Sequence, residues 1–201
     1  AMLWIVGGDA VGSSLAGLQG NGVVEWLAEQ MQHTVWEGFH FYDLIFPLFV
    51  FVVGVAIPLS LDRAVVKFGK AATVRRVLIR GALMYLLGVL YYGGIADGVE
   101  HIRLLGVLQR LAICYVAASA CRLWLGVRTT GAVAAGLLGL YWVLLNFVPV
   151  PGFGAGDFAR GHNLANWIDA QYLPLKIWYG DYDPEGILST LPAIASCLVG
   201  L

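Results

Sequence analysis

The stretch FYDLIFPLFVFVVGVAIPLSL, Phe41–Leu61, carries a single charge, Asp43, near its start. A helix needs about 20 consecutive apolar residues to cross a hydrocarbon core about 30 Å thick. No water at that depth can satisfy backbone N–H and C=O groups, so such a run must be helical. Working outward, three further runs are complete: Val77–Ala96 with only Arg80, Leu104–Cys121 with only Arg110, and Thr130–Val148 with no charge. Two more, Ala1–Gly17 and Ile187–Leu201, are cut by the ends of the chain. The expected fold is therefore all-α: a polytopic transmembrane helix bundle of about six spans, forming a single integral membrane domain over residues 1–201. A chain that starts inside one span and stops inside another is expected to be a fragment, incomplete at both ends. No basic segment precedes Ala1–Gly17, which disfavours a cleaved signal peptide.

Composition agrees. Hydrophobic residues make up 59% of the 201 and charged residues 12%, with mean hydropathy +0.77. A soluble domain averages about 45–50% apolar and about 25% charged, so a soluble or disordered chain is disfavoured. The net charge of −1 provides no basic surplus for nucleic acid. The three cysteines, Cys114, Cys121 and Cys197, lie in or beside apolar runs without CxxC spacing. They read as packing residues rather than a disulfide or metal framework.

Charge clusters set the orientation. Asp62–Arg80 holds Arg63, Lys67, Lys70, Arg75, Arg76 and Arg80, and the turn after the run ending at Cys121 holds Arg122 and Arg128. Alternating spans put both on one side, which the positive-inside rule makes cytoplasmic. The opposite segments are acidic, with Glu25, Glu29, Glu37, Asp97, Glu100, Asp157, Asp169, Asp181, Asp183 and Glu185, opposed only by Arg103, Arg160 and Lys176. The basic loops are expected in the cytoplasm, and the acidic loops are then periplasmic or extracellular.

Two outer segments exceed simple connectors. In residues 18–40, Val24, Leu27, Ala28 and Met31 follow helical spacing, with Trp26 and Trp36 suited to the interface, so an amphipathic helix on the outer leaflet is expected. Residues 149–186 open with turn chemistry and then offer a short helix capped at Asn163. Trp167, Trp178, Tyr179 and Tyr182 interleave there with Asp169, Asp181, Asp183 and Glu185. Aromatic rings stack on a sugar's apolar face and acids take its hydroxyls or an amine; an interfacial aromatic belt with solvated acids is the structural alternative. Trp167, Trp178 and Tyr182 are expected near His33.

Ionisable groups at membrane depth are costly and mark function by default. Asp9, Asp43, Arg103 and Arg110 all lie toward the outer half, and so does His33 through the interfacial helix. An Asp43–Arg110 salt bridge is the structural alternative. Gly54, Gly88, Gly106, Gly131, Gly136 and Gly139 would allow close helix approach.

The pattern His33-x-x-Trp36-x-Gly38-x-x-x-x-Asp43-Leu-Ile-Phe46-Pro47-x-Phe49-x-Phe51-x-x-Gly54 resembles a signature of the transmembrane N-acetyltransferases related to heparan-alpha-glucosaminide N-acetyltransferase. Arg103-Leu-Leu-Gly106-Val-Leu-Gln109-Arg110-Leu is similar to a second signature, and Asp183-Pro184-Glu185-Gly186-Ile-Leu-Ser189-Thr190 to a third. The three occur in order across nearly the whole chain and look closest to the bacterial NagX-like branch. That branch usually has more spans and begins with a Ser-Leu-Asp-x-x-Arg-Gly segment that is missing here. Where some relatives carry an asparagine, this chain reads Gly7-Gly8-Asp9, so an asparagine role does not transfer.

The resemblance implies that cytoplasmic acetyl-CoA, as cosubstrate, donates an acetyl group to an amino sugar or glycan on the far side, with no metal. His33 is then the catalytic candidate, as general base or acetyl carrier. Asp43 orients it or binds the amine, and Arg110 holds Asp43 or steadies an oxyanion. Asp9, Trp36, Trp167, Trp178, Asp183 and Glu185 are substrate-binding candidates, and Lys67, Lys70, Arg75 and Arg76 candidates for the CoA phosphates. The lipid bilayer is the expected partner, with homo-oligomerisation left open. A sugar or amino-sugar transporter, using helices broken at Pro47 and Pro58, is the rival reading, and a non-catalytic assembly partner the third. CoA binding would favour the enzyme and inverted repeats the transporter.

Overall fold

A computed structural model describes residues 22–91 and 98–201, together with Ser14 and Gly17. The expected span Ala1–Gly17, the candidate Asp9 and the end of the run Val77–Ala96 lie outside the described residues. The α-helices, numbered in order, are α1 (Gly22–Gln30), α2 (Ile45–Phe68), α3 (Lys70–Tyr91), α4 (Val107–Trp124), α5 (Val127–Phe147), α6 (Leu164–Tyr172) and α7 (Thr190–Val199). Short 3₁₀ turns span Phe41–Leu44 and Val99–His101. Among the described residues there is no β-strand, only an isolated bridge between Val150 and Gly154. The chain falls into two compact units, Ala1–Val52 and Val53–Leu201.

The first unit holds α1, the loop that follows it and the start of α2. Met31, Tyr42 and Ile45 form a small buried cluster beneath that loop. Helix α1 forms within the segment 18–40 where a helix is expected.

In the second unit, α4 packs on α3 and α7, and α5 packs on α7. Cys114, Ala118, Ala195 and Cys197 are fully buried, small residues of α4 and α7. A Cβ at Gly54 of α2 would meet the Cys197 carbonyl of α7, and one at Gly81 of α3 the Val116 side chain. Such contacts let helix backbones approach closely. Gly131, Gly136 and Gly139 do not act this way among the described residues, because each faces open space.

Two helical stretches among the described residues are long and apolar enough to cross a membrane. They are Phe41–Phe68, with hydropathy 2.6, and Val127–Phe147, with hydropathy 1.6. Only 11% of the Val127–Phe147 window is buried, so α5 is not the core helix of a soluble fold. Helices also occupy the runs expected around residues 77–96, 104–121 and 187–201, without meeting that criterion. In α3 the reason is Lys70, Arg75, Arg76 and Arg80. In α4 it is polarity that the bundle hides: Gln109, Arg110 and Ser119 are buried.

The basic stretch Asp62–Arg80 is not a loop. Helix α2 continues to Phe68, only Gly69 breaks it, and α3 begins at Lys70. Lys and Arg are good helix formers, so helices extend into their own charged flanks. Gly69, at φ +79, supplies the left-handed residue that ends α2. Pro58 lies inside α2 without interrupting it, and Pro47 falls in the first turn, where a missing N–H is harmless. The helix breaks expected under the transporter reading do not occur here.

The Arg122 guanidinium grips Asp62 through Nε and Nη2, at 3.1 and 2.6 Å, and Lys70 lies 5.3 Å from the Trp124 ring. The α2–α3 and α4–α5 turns therefore share one end of the second unit. The start of α4 and the 183–190 segment share the other.

Candidate functional site

In the first unit, α1 ends at Gln30 and the chain reverses through residues 31–40, with Gly38 at φ +121. The reversal brings His33 back to the 3₁₀ turn. His33 Nδ1 lies 2.7 Å from Asp43 Oδ1, and the other carboxylate oxygen accepts the His40 backbone N–H at 2.9 Å. His40 Nδ1 donates to the Gln32 carbonyl at 2.9 Å, and the Phe41 N–H donates to Gln30 Oε1 at 3.1 Å. The Tyr42 ring meets the His33 imidazole edge-on, centroids 4.6 Å apart.

An ionised carboxylate can only accept, so the proton of this contact sits on His33 Nδ1. In the neutral imidazole Nε2 then carries the lone pair. The His33 side chain is 66% exposed and Asp43 26%, so the acceptor nitrogen is open while its orienting partner is held. This is the base-and-orienter pairing of nucleophilic and general-base sites. Trp36 is half-buried in the same loop.

The second unit holds a buried charge network. Arg103 Nε donates to Asp183 Oδ2 at 3.0 Å, and its Nη2 contacts both Asp183 and Glu185. The Trp178 ring lies 4.7 Å from the same guanidinium. Asp183 also accepts the backbone N–H groups of Trp178 and Glu185, at 3.2 and 3.0 Å. Arg110 donates to the carbonyls of Pro184 and Gly186, at 3.1 and 3.3 Å, and to the Ser189 hydroxyl. Asp169 of α6 accepts the Ile187 N–H at 2.8 Å. The two arginines thus fasten the Asp183–Ser189 turn to the start of α4.

Two guanidiniums face three carboxyls here. Burial works against the Arg103 charge, but Asp183 and Glu185 outweigh it and hold its pKa above the ordinary value. Burial pushes Glu185 up, against the pull of Arg103 and Arg110. Burial also pushes the Asp169 carboxyl up to about 6, against backbone N–H groups of Ile187 and Asp183. Asp169 is the carboxyl with no guanidinium hydrogen bond of its own. Along the chain it reads as an outer acid interleaved with aromatics; its place six residues after the helix-capping Asn163 is the signal for its position on α6.

The remaining candidates separate. Trp167 packs on the cluster of Val150, Leu164, Ala165 and Leu188, so much of its ring is core. Trp178 is 47% exposed. Asn163 caps α6 as expected, accepting the Asn166 N–H at 2.9 Å. Lys67 and Arg76 line a cavity of about 430 Å³ together with Arg63 and Arg80. Lys70 and Arg75 are not in its lining. Within its own unit each member of the alternative Asp43–Arg110 salt bridge has partners: Asp43 is engaged by His33, and Arg110 by the 184–189 turn.

No family model matches the chain. Human heparan-alpha-glucosaminide N-acetyltransferase is 30% identical to it over 227 residues, an alignment taking in 85% of this chain and 33% of the human protein. The mouse protein of the same name is 26% identical over 221 residues, covering 85% of this chain and 34% of its own. The chain is a distant homologue of this N-acetyltransferase. It spans about a third of the length of these curated relatives. This homology together with the two apolar helices suggests a place in a membrane.

Proposed function

We propose that this chain is part of a membrane-embedded acetyltransferase that moves an acetyl group from cytoplasmic acetyl-CoA to an amino sugar on the outer side of a bacterial inner membrane. The observation that carries the reading is the His33–Asp43 contact of 2.7 Å, within a chain homologous to an N-acetyltransferase. Asp43 fixes the imidazole with Nε2 as acceptor. Nε2 takes a proton from the amine as its nitrogen attacks the thioester carbonyl carbon. The tetrahedral intermediate then collapses, the C–S bond breaks, and the CoA thiolate takes the proton back from the imidazolium. In the covalent variant, Nε2 itself attacks the thioester and the CoA thiolate leaves; the amine then attacks the acetyl carbon, neutral imidazole leaves, and the amine's proton passes to the thiolate. The acidic segments then lie outside and the basic helix ends in the cytoplasm.

The test is transfer of labelled acetyl from acetyl-CoA to glucosamine by the purified full-length protein. Acetylated glucosamine, lost in His33→Ala, supports the reading. Uptake of glucosamine into proteoliposomes with no acetyl donor, and no acetylated product, replaces it with transport. Acetyl-histidine trapped in the absence of acceptor selects the covalent variant.

A further inference from the structure

The cavity of about 430 Å³ lies where the last turns of α2 meet the first turns of α3. Arg63 and Lys67 come from α2, and Arg76 and Arg80 from α3. Among the described residues, none of these four cations forms an ion pair; the nearby Asp62 is taken by Arg122. Arg76 stacks on Phe68 at 3.5 Å and Arg80 lies 5.8 Å from the Tyr115 ring. The rings leave the cations' charge uncompensated. Four exposed cations without an ion pair around one cavity suit an anion.

Helical spacing says what else that anion carries. Arg63 continues a row of α2 formed by Val55 and Leu59, which are 43% and 65% exposed. Arg80 continues a row of α3 formed by Leu83, Leu87 and Leu90, which are 54%, 58% and 59% exposed. Each cation pair thus caps an apolar stripe on its own helix. The α3 stripe, Leu83–Leu90, runs about 10 Å at 1.5 Å per residue. A soluble phosphate compound has no use for these stripes. A molecule with a phosphate at one end and acyl chains at the other matches both.

We propose that the Arg63/Lys67/Arg76/Arg80 cavity binds the phosphate headgroup of an anionic phospholipid, with its acyl chains along the exposed apolar faces of α2 and α3. Basic pockets between membrane helices take anionic headgroups by charge, at about 1 kcal/mol per Lys or Arg near the surface. The site shares no residue with the His33–Asp43 pair, and rests only on the chain lying in a membrane.

The experiment uses the full chain in neutral-detergent micelles doped with phosphatidylglycerol or with phosphatidylcholine, with bound lipid read by native mass spectrometry. Phosphatidylglycerol should be retained at least about tenfold over phosphatidylcholine, the size expected of one to two cations. The pair Arg63→Gln with Arg76→Gln should abolish that preference. So should Lys67→Gln with Arg80→Gln, which empties the other half of the cavity should the first pair fold poorly. Lys70→Gln with Arg75→Gln removes the same charge outside the lining and should keep the preference. Equal loss in all three pairs, or no preference in the unaltered protein, overturns the site. Displacement of phosphatidylglycerol by micromolar adenosine 3′,5′-bisphosphate overturns the lipid and makes the cavity a soluble-phosphate site.

Discussion

Arg103 and Asp183 stand eighty residues apart in sequence and meet through two guanidinium nitrogens, with side chains only 3% and 1% exposed. The contact closes the long segment between α5 and α7 onto the start of α4. Its value is fixed by burial: removing Arg103 strands Asp183 where water cannot reach it, and removing Asp183 leaves the buried Arg103 with Glu185 alone.

Asp183→Ala should therefore cost about 3–5 kcal/mol, the usual result of breaking a buried ion pair from one side. Arg103→Met together with Asp183→Leu should cost less than the sum of the single changes, since neither member of the pair is stranded by loss of the other and only the Glu185 contact with Arg103 is lost. Thermal melts of the four proteins in one detergent measure this. Additive losses would mean that the pair is not coupled.

His33→Ala should lower acetyl transfer by about 10²–10⁴-fold, the usual contribution of a positioned acid–base group, with the melting temperature nearly unchanged. The side chain is 66% exposed, and exposed substitutions usually cost within about 0.5 kcal/mol. Asp43→Asn should also slow transfer, because an amide can offer its N–H₂ to the ring and reverse the tautomer. Wild-type rates in His33→Ala would remove His33 from the mechanism.

Stability should fall as pH rises from about 4 to 6. Burial raises the folded-state Asp169 pKa to about 6, above the unfolded value of about 3.9. The folded state holds this proton more tightly, so the stabilisation is full below about pH 4 and is lost as pH climbs through 6. At 1.4 kcal/mol per unit the span is roughly 3 kcal/mol. Glu185 shifts in the same direction. Asp169→Asn should flatten most of the slope in denaturant titrations across this range; an unchanged slope would assign it to Glu185.

In a cysteine-free background, Val66→Cys should resist an impermeant thiol reagent on intact cells, and Ala159→Cys should react. Both positions are exposed, so reactivity reports sidedness. Labelling at 66 but not at 159 would invert the topology.

Much of this protein can be read along the chain, because its governing physics is local. Apolar runs must be helical in lipid whatever surrounds them, and α2 and α5 lie where Phe41–Leu61 and Thr130–Val148 lead one to expect them. Asn163 caps α6 by contacts within three residues. The grouping of the basic stretches on one end follows from alternation, and the Arg122–Asp62 bridge agrees with it. What tertiary structure decided is which charge meets which. A charge in an apolar run announces that it needs a partner, but not the partner's identity. Asp43 goes to His33 because the chain reverses through residues 31–40. Arg103 finds Asp183, and Arg110 the turn around Gly186, because α4 packs on α7. Arg63 and Lys67 share a cavity with Arg76 and Arg80, while Lys70 and Arg75 are not in its lining, because the turn at Gly69 sets which faces of the two helix ends meet. Periodicity states which residues share a helix face; only packing states what that face meets.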